Sequence, residues 1–259
     1  MTRVGLALSA GGPRGIAHLG VLRALVEAEI PICAIAGTSA GSYVGGLFAA
    51  GVPLPEIGQL WEELGFWRTA RFLLPTFPWR GWSSGEELRR VLLEIVGERR
   101  IEDLPIPFAA VATDLGSGEP VAIRRGCLAD AIRASLSVPG LFVPVDLDGR
   151  TLIDGGVAHP LPVNVTRELG AEAVVAVDVL VPPAEKHLTR VTVFGVLFQM
   201  ATIFQKRIVQ LEVAAMRPEV LISPDFSDGP PTYASVGLAE EAGYRAAQAA
   251  LPAIRALGT

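Results

Sequence analysis

The chain is short of the side chains that most often carry chemistry. Its 259 residues include three histidines and two cysteines, and lysine stands only at Lys186 and Lys206. Two cysteines cannot form a disulfide framework, and Cys33 and Cys127, both in apolar surroundings, read as buried thiols of a reducing compartment. There is no basic block and the net charge is -5, which argues against a nucleic-acid partner. The most apolar later stretch, "VTVFGVLFQMATIF" at 191–204, falls short of the roughly 20 residues that span a bilayer. The opening "MTRVGLALSAGG" lacks the shape of a signal peptide, so a cytoplasmic protein is expected. Neither a metal nor a cofactor is expected.

What is present is an ordinary globular composition, 50% hydrophobic, in a chain long enough for one large α/β domain. "RVGLALS" reads as a buried strand and "GIAHLGVLRALVEA" as an amphipathic helix with Ile16, Leu19, Leu22 and Leu25 on one face. "ICAIAG" and "AGSYVGGLFAAG" repeat the pair. Strand–helix alternation with tight loops predicts a three-layer α/β/α fold, a mostly parallel central sheet with helices on both faces. Further strands are expected at "PFAAVATDL", "PVAIRRG", "TLIDGG" and "AEAVVAVDVL". "SGEELRRVLLEIVG" predicts a helix with a serine N-cap, and "SVGLAEEAGYRAAQAALPAIRAL" a C-terminal helix bent or broken near Pro252. With no repeat or linker, residues 1–259 are expected to form a single domain with an insertion or lid around 61–85.

Two glycine-rich turns carry the chemistry. "SAGGPRG" joins the first strand to the first helix, where backbone N–H groups and the helix dipole form a site for an anion. A phosphate loop would need Lys-Ser or Lys-Thr after the last glycine, but Gly15 is followed by Ile16. A dinucleotide fingerprint would need an acid ending the second strand, and "AGTSAG" has none. An acyl-transfer oxyanion and a purely structural tight turn remain as readings of this loop, though three glycines and an arginine are more than a turn requires. The second turn, "GTSAG", sets Ser39 between a strand and a helix in a G-x-S-x-G frame, with Gly37 and Gly41 where side chains would crowd.

Such a serine needs a base. His18 is one turn inside the first helix, His187 lies in a charged turn, and His159 follows Asp154 closely enough to suggest a Ser-Asp-His order. Asp154 in "LIDGG" could act alone: its ordinary pKa of about 3.9 makes it a weak base in water, but a dry site changes that. Asp114 and Asp178 also end expected strands.

Taken together, "AGGPRG", "GTSAG" and "DGG", with "GIAHLGVLRAL", "ATDL", "GSGEPV" and "RASLSVPGLFVPV" between them, resemble the patatin-like phospholipase family over most of the chain. The resemblance implies a lipid acyl hydrolase with a serine–aspartate dyad, Ser39 as nucleophile and Asp154 as proton acceptor. It also implies an oxyanion hole in the loop at 10–15, with N–H donors from Gly11, Gly12, Arg14 and Gly15, since Pro13 has none. Gly155 and Gly156 complete the aspartate motif. This chain departs from the family's G-x-G-x-x-G at its first position, where Ala10 stands. A histidine-assisted esterase through His159 and a non-catalytic lipid-binding module are the alternatives.

For the acyl substrate, Trp61, Trp67, Trp79 and Trp82 fall within 22 residues, accompanied by Phe66, Phe72 and Phe77 and interleaved with arginines. This patch is expected to be either a lid that makes transient contact with a membrane surface or an insertion packed on the core. The helix expected over Val191–Met216, with Phe194, Phe198 and Met200, is a further wall of the site, a face for a homo-oligomer, or core.

Overall fold

A computed structural model of the protein describes residues 2–66, 83–180, 193–227 and 236–258. Most of the expected insertion, with Trp67, Phe72, Phe77, Trp79 and Trp82, and also His187, lies outside the described residues.

Among the described residues, eight strands form one mixed sheet: β1 (Val4–Leu8), β2 (Ile32–Thr38), β3 (Phe108–Asp114), β4 (Pro120–Ile123), β5 (Val145–Leu147), β6 (Arg150–Asp154), β7 (Ala173–Val177) and β8 (Val220–Ile222). The hydrogen-bonded path runs β5-β6-β3-β2-β1-β7-β8, with β4 attached to β3. The β3–β2–β1–β7–β8 pairings are all parallel, while β4, β5 and β6 pair antiparallel.

β1 and β7 are buried from end to end, and β2 and β3 over most of their length, as a sheet covered on both sides requires. Alternate side chains divide between two cores. Leu6, Leu8, Ile35, Ala110, Ala112, Val175 and Val177 face the larger one. There they meet α1 (Ala17–Glu27), α2 (Ala40–Ala49), α3 (Leu54–Phe66), α4 (Glu86–Val96), α5 (Leu128–Ser135) and α8 (Val236–Arg255). The opposite face is built of smaller residues, Ala7, Ala36, Ala109, Val111, Val174 and Ala176. It carries α6 (Val163–Glu168) and α7 (Val193–Met216). This is the three-layer α/β/α arrangement expected from the alternation.

Some local expectations are corrected. The N-cap of α4 is Gly85 at φ 70, not Ser84, whose hydroxyl instead accepts from Glu86 N at 3.3 Å. The C-terminal helix runs unbroken through Pro252, because so near its end the proline removes only a last-turn hydrogen bond. Cys33 and Cys127 are free thiols but only half-buried. Trp61 is core: 4% exposed, it packs edge-on against Tyr43 with ring centroids 5.6 Å apart.

One irregularity of the sheet positions everything that follows. β3 pairs with β2 over Phe108–Val111 and with β6 over Ala112–Asp114. β4 pairs over Ala110–Thr113, overlapping both, so β2 and β6 must share the other edge of β3. They run in opposite directions, and their C-terminal ends meet head-on there, Thr38 beside Val111 and Asp154 beside Ala112.

Candidate active site

Ser39 alone connects β2 to α2, at φ 54 and ψ -120. A non-glycine residue held in that region stores on the order of 1–3 kcal/mol of strain, as expected of a nucleophile elbow. The flanking glycines are required by close approach. A Cβ on Gly37 would lie 2.4 Å from Gly41 O, and one on Gly41 would lie 2.3 Å from Leu8 O.

The strained turn presents Ser39 Oγ at the N-terminus of α2, where it donates to Asp154 Oδ2 at 2.6 Å. Asp154 Oδ1 accepts from Gly156 N at 2.7 Å, so both carboxylate oxygens are held. The main chain of Asp154 is fixed as well: its N–H donates to Ser137 O at 2.9 Å and its carbonyl accepts from Thr113 Oγ1 at 3.0 Å. Ser39 is 5% exposed and Asp154 3%. Burial pushes the Asp154 carboxyl up to about 6, against the opposing pull of the bonds from Ser39 and Gly156. A carboxylate in that range accepts protons near neutral pH far better than an aspartate in water.

The first glycine loop lies alongside. Gly11 leads into a 3-10 turn over Gly12–Ile16, and Pro13 in its first turn needs no partner for an N–H it lacks. Gly12 has φ 53, and a Cβ there would meet nothing within 4 Å, so its backbone borders open space. A Cβ on Gly15 would lie 2.3 Å from Ala40 Cβ, which seats the loop against the start of α2. Arg14 N donates to Gly11 O at 3.2 Å within the turn. Among the described residues, the N–H groups of Gly11 and Gly12 meet no backbone acceptor. Ala10, the departure from the family pattern, is accommodated: it is buried, and its N–H donates to Pro160 O at 2.9 Å.

The rival bases are engaged elsewhere. His18 is buried with its Nε2 2.9 Å from Ser9 O, and burial holds its ring down at about 4. The ring nitrogens of His159 meet Glu212 Oε1 and, at 2.6 Å, Asn164 Oδ1. That network ties α7 to the loop after Asp154 and leaves no nitrogen for Ser39. Asp178 pairs with Lys206 at 2.6 Å, and Asp114 caps its own turn by accepting from Gly116 N at 2.8 Å. Gln205, unnoticed in the sequence, reaches the site from α7: its Nε2 lies 2.5 Å from where a Cβ on Gly156 would be.

A family profile described as patatin-like phospholipase matches residues 6–167, well over half of the chain. The chain belongs to the patatin-like phospholipase family. An NTE family protein of Mycobacterium tuberculosis is 44% identical over 176 residues, covering 68% of this chain and 49% of that relative. Lysophospholipase NTE1 of Saccharomyces cerevisiae is 38% identical over 181 residues, again 68% of this chain but 11% of the relative. The chain therefore spans half or less of the length of these relatives. Among solved structures, VipD from Legionella pneumophila superposes with a TM-score of 0.55 at 14% identity, over 99% of this chain and 67% of that one. ExoU, in the Pseudomonas aeruginosa ExoU–SpcU complex, gives 0.53 at 16%, over 98% and 52%. At such identities these two report the patatin-like fold alone.

The buried carboxyl generates a prediction. An acid whose folded pKa lies above its unfolded value binds its proton more tightly when folded, so its contribution to stability is greatest below about 4 and declines as the pH rises towards about 6. At about 1.4 kcal/mol per pH unit, ionised Asp154 costs the fold on the order of 3 kcal/mol. Asp154→Asn keeps both hydrogen-bond positions and removes the charge. Its Tm by calorimetry at pH 8 is expected to exceed that of the wild type, with the gap closing towards pH 4. An unchanged or lower Tm at pH 8 contradicts this assignment.

Proposed function

We propose that the protein hydrolyses carboxylic esters of acyl lipids through a Ser39–Asp154 dyad. The observation that carries this reading is the 2.6 Å hydrogen bond from the strained, buried Ser39 Oγ to a carboxylate with no intervening histidine.

The steps follow from the atoms present. As Ser39 Oγ attacks the ester carbonyl carbon, Asp154 Oδ2 takes its proton. The carbonyl oxygen becomes an oxyanion, to which the N–H groups of Gly11 and Gly12 donate, with the positive end of α2 adding to the field. Arg14 and Gly15 shape this loop; with Arg14 N committed to Gly11 O, the first two glycines are the main donors. Asp154 then returns the proton to the departing alcohol oxygen, leaving an ester on Ser39. Water attacks that ester, giving a proton to Asp154, which passes it to Ser39 Oγ as the bond to the acyl group breaks and the fatty acid is released. The low exposure of both side chains excludes competing water and strengthens each of these interactions.

Relatives named lysophospholipases favour a phospholipid with one acyl chain as the substrate class. The surface of α7 supports delivery from a membrane. Leu197, Phe198, Met200 and Phe204 are exposed on it, and no acidic residue occurs between Val193 and Leu211. Arg207, exposed on the same helix, suits anionic lipid headgroups, whereas Lys206 is committed to Asp178. No helix among the described residues is long and apolar enough to cross a membrane.

Three measurements test the reading. Ser39→Ala is expected to lower hydrolysis of a short p-nitrophenyl ester by about 10³-fold or more, while His159→Ala keeps the reaction within roughly tenfold. A fluorophosphonate adduct at a serine other than Ser39, or equal losses from both variants, would remove the dyad. Because Asp154 must be ionised to accept the proton, kcat/KM should be lost as the pH falls through about 6; a flat profile between pH 5 and 8 rules this base out. Finally, Leu197→Glu with Phe204→Glu should weaken binding to phosphatidylglycerol vesicles and hydrolysis of vesicle-borne lysophospholipid, sparing the soluble ester. Equal losses on both substrates would overturn the membrane role of α7.

A further inference from the structure

Where β2 and β6 meet end to end, the hydrogen-bond ladder along β3 is interrupted. The carbonyl of Val111, the last β3 residue paired with β2, points into the gap, and a Cβ on Gly155 would lie 2.1 Å from that oxygen. The N–H of Ser39, just beyond the end of β2, has no strand to bond. Both are buried groups that must find a partner.

One side chain supplies both. Ser135, the last residue of α5 and fully buried, accepts from Ser39 N at 2.8 Å and donates to Val111 O at 2.6 Å. Two residues on, Ser137 O takes the N–H of Asp154 at 2.9 Å. The segment from 133 to 137 thus grips the backbone of both dyad members from a single short turn. Arg133 anchors that turn. Only 3% exposed, it donates to Ser84 O at 2.7 Å, Gly85 O at 3.1 Å, Val143 O at 2.9 Å and Ser137 Oγ at 2.5 Å.

We propose that Ser135 is a positioning residue for the reaction: its hydroxyl bridges the gap between two abutting strands and so holds the strained elbow that aims Ser39 Oγ at Asp154. The bond to Ser39 N opposes relaxation of the φ 54 conformation, because a turn that swung back would leave that N–H buried without an acceptor. The same bond commits Ser39 N–H, so the oxyanion donors come from the glycine loop and not from the serine itself. This inference rests on Ser39 being the attacking residue.

The test compares wild type, Ser135→Ala, Ser135→Cys and Ser39→Ala on a soluble p-nitrophenyl ester, with the rate of fluorophosphonate labelling at Ser39 as a second readout. Thr166→Val is the control for stability alone. Its buried Oγ1 donates to Leu6 O and Pro162 O, both at 3.1 Å, on the opposite face of the sheet. Ser135→Ala is expected to lower kcat and the labelling rate together by about 10- to 100-fold, with KM within twofold. Ser135→Cys should fall between it and the wild type, because a thiol is the weaker donor and acceptor. Thr166→Val should lose thermal stability while keeping kcat and labelling within twofold. Ser135→Ala within twofold of wild type in both readouts overturns the proposal, as does a kcat loss in Thr166→Val as large at comparable Tm. Should Ser135→Ala not fold, Ser135→Cys decides by the same criteria, wild-type kcat and labelling counting against the proposal. Ser39→Ala keeps the two readings apart: its survival as an active enzyme defeats the dyad, whereas an inactive Ser39→Ala beside a fully active Ser135→Ala defeats the positioning role alone.

Discussion

The site depends on one short hydrogen bond, from Ser39 Oγ to Asp154 Oδ2, and on the strand geometry that makes it possible. Two residues 115 apart in the chain meet because β2 and β6 run towards each other along the same edge of β3 and stop. A parallel neighbour would have carried its end to the same side without pointing a carboxylate back at the serine. The antiparallel β6 therefore brings Asp154 to Ser39 within a mostly parallel sheet, and the glycines after Asp154 let the chain turn away within contact distance of β3.

This arrangement is held at a cost in stability. The elbow is strained, a carboxylate is buried, and a sheet ladder is broken in the middle of the molecule. The compensation comes from the layers around it. The strands are filled on one face by Leu, Ile and Val against six helices, and lined on the other by Ala and Val that let α6 approach closely. Groups at the broken ladder are met by specific partners: Ser135 for Val111 and Ser39, Ser137 and Thr113 for the backbone of Asp154. Histidine has a different part here. His159 joins Glu212 and Asn164, linking α7 to the loop that follows the aspartate, so a residue suggestive of a triad acts as a brace.

The family profile rests on the pattern of residues 6–167, whereas the hydrogen bonds depend on where those residues end in space. The low-identity likeness to VipD and ExoU extends over nearly the whole chain, beyond the profile, and so covers α7 and α8 as parts of the same fold.

By itself, the sequence determined β1, α1, β2 and α2, the two glycine turns and the serine in the second of them, but not α3, whose second half falls where an insertion was expected. Those features are local: period-2 and period-3.6 burial, and glycine where chains crowd, are written in neighbouring residues. The doubled glycine beside Asp154, together with the family likeness, singled that residue out from His159, Asp178 and Asp114. Only the tertiary structure shows how Asp154 reaches Ser39: which strands pair, in which direction and where they end are set by contacts between distant segments. The bridging hydroxyl of Ser135 was invisible for the same reason, since a serine closing a short helix has no local mark of filling a gap between two strands that lie far from it in the chain.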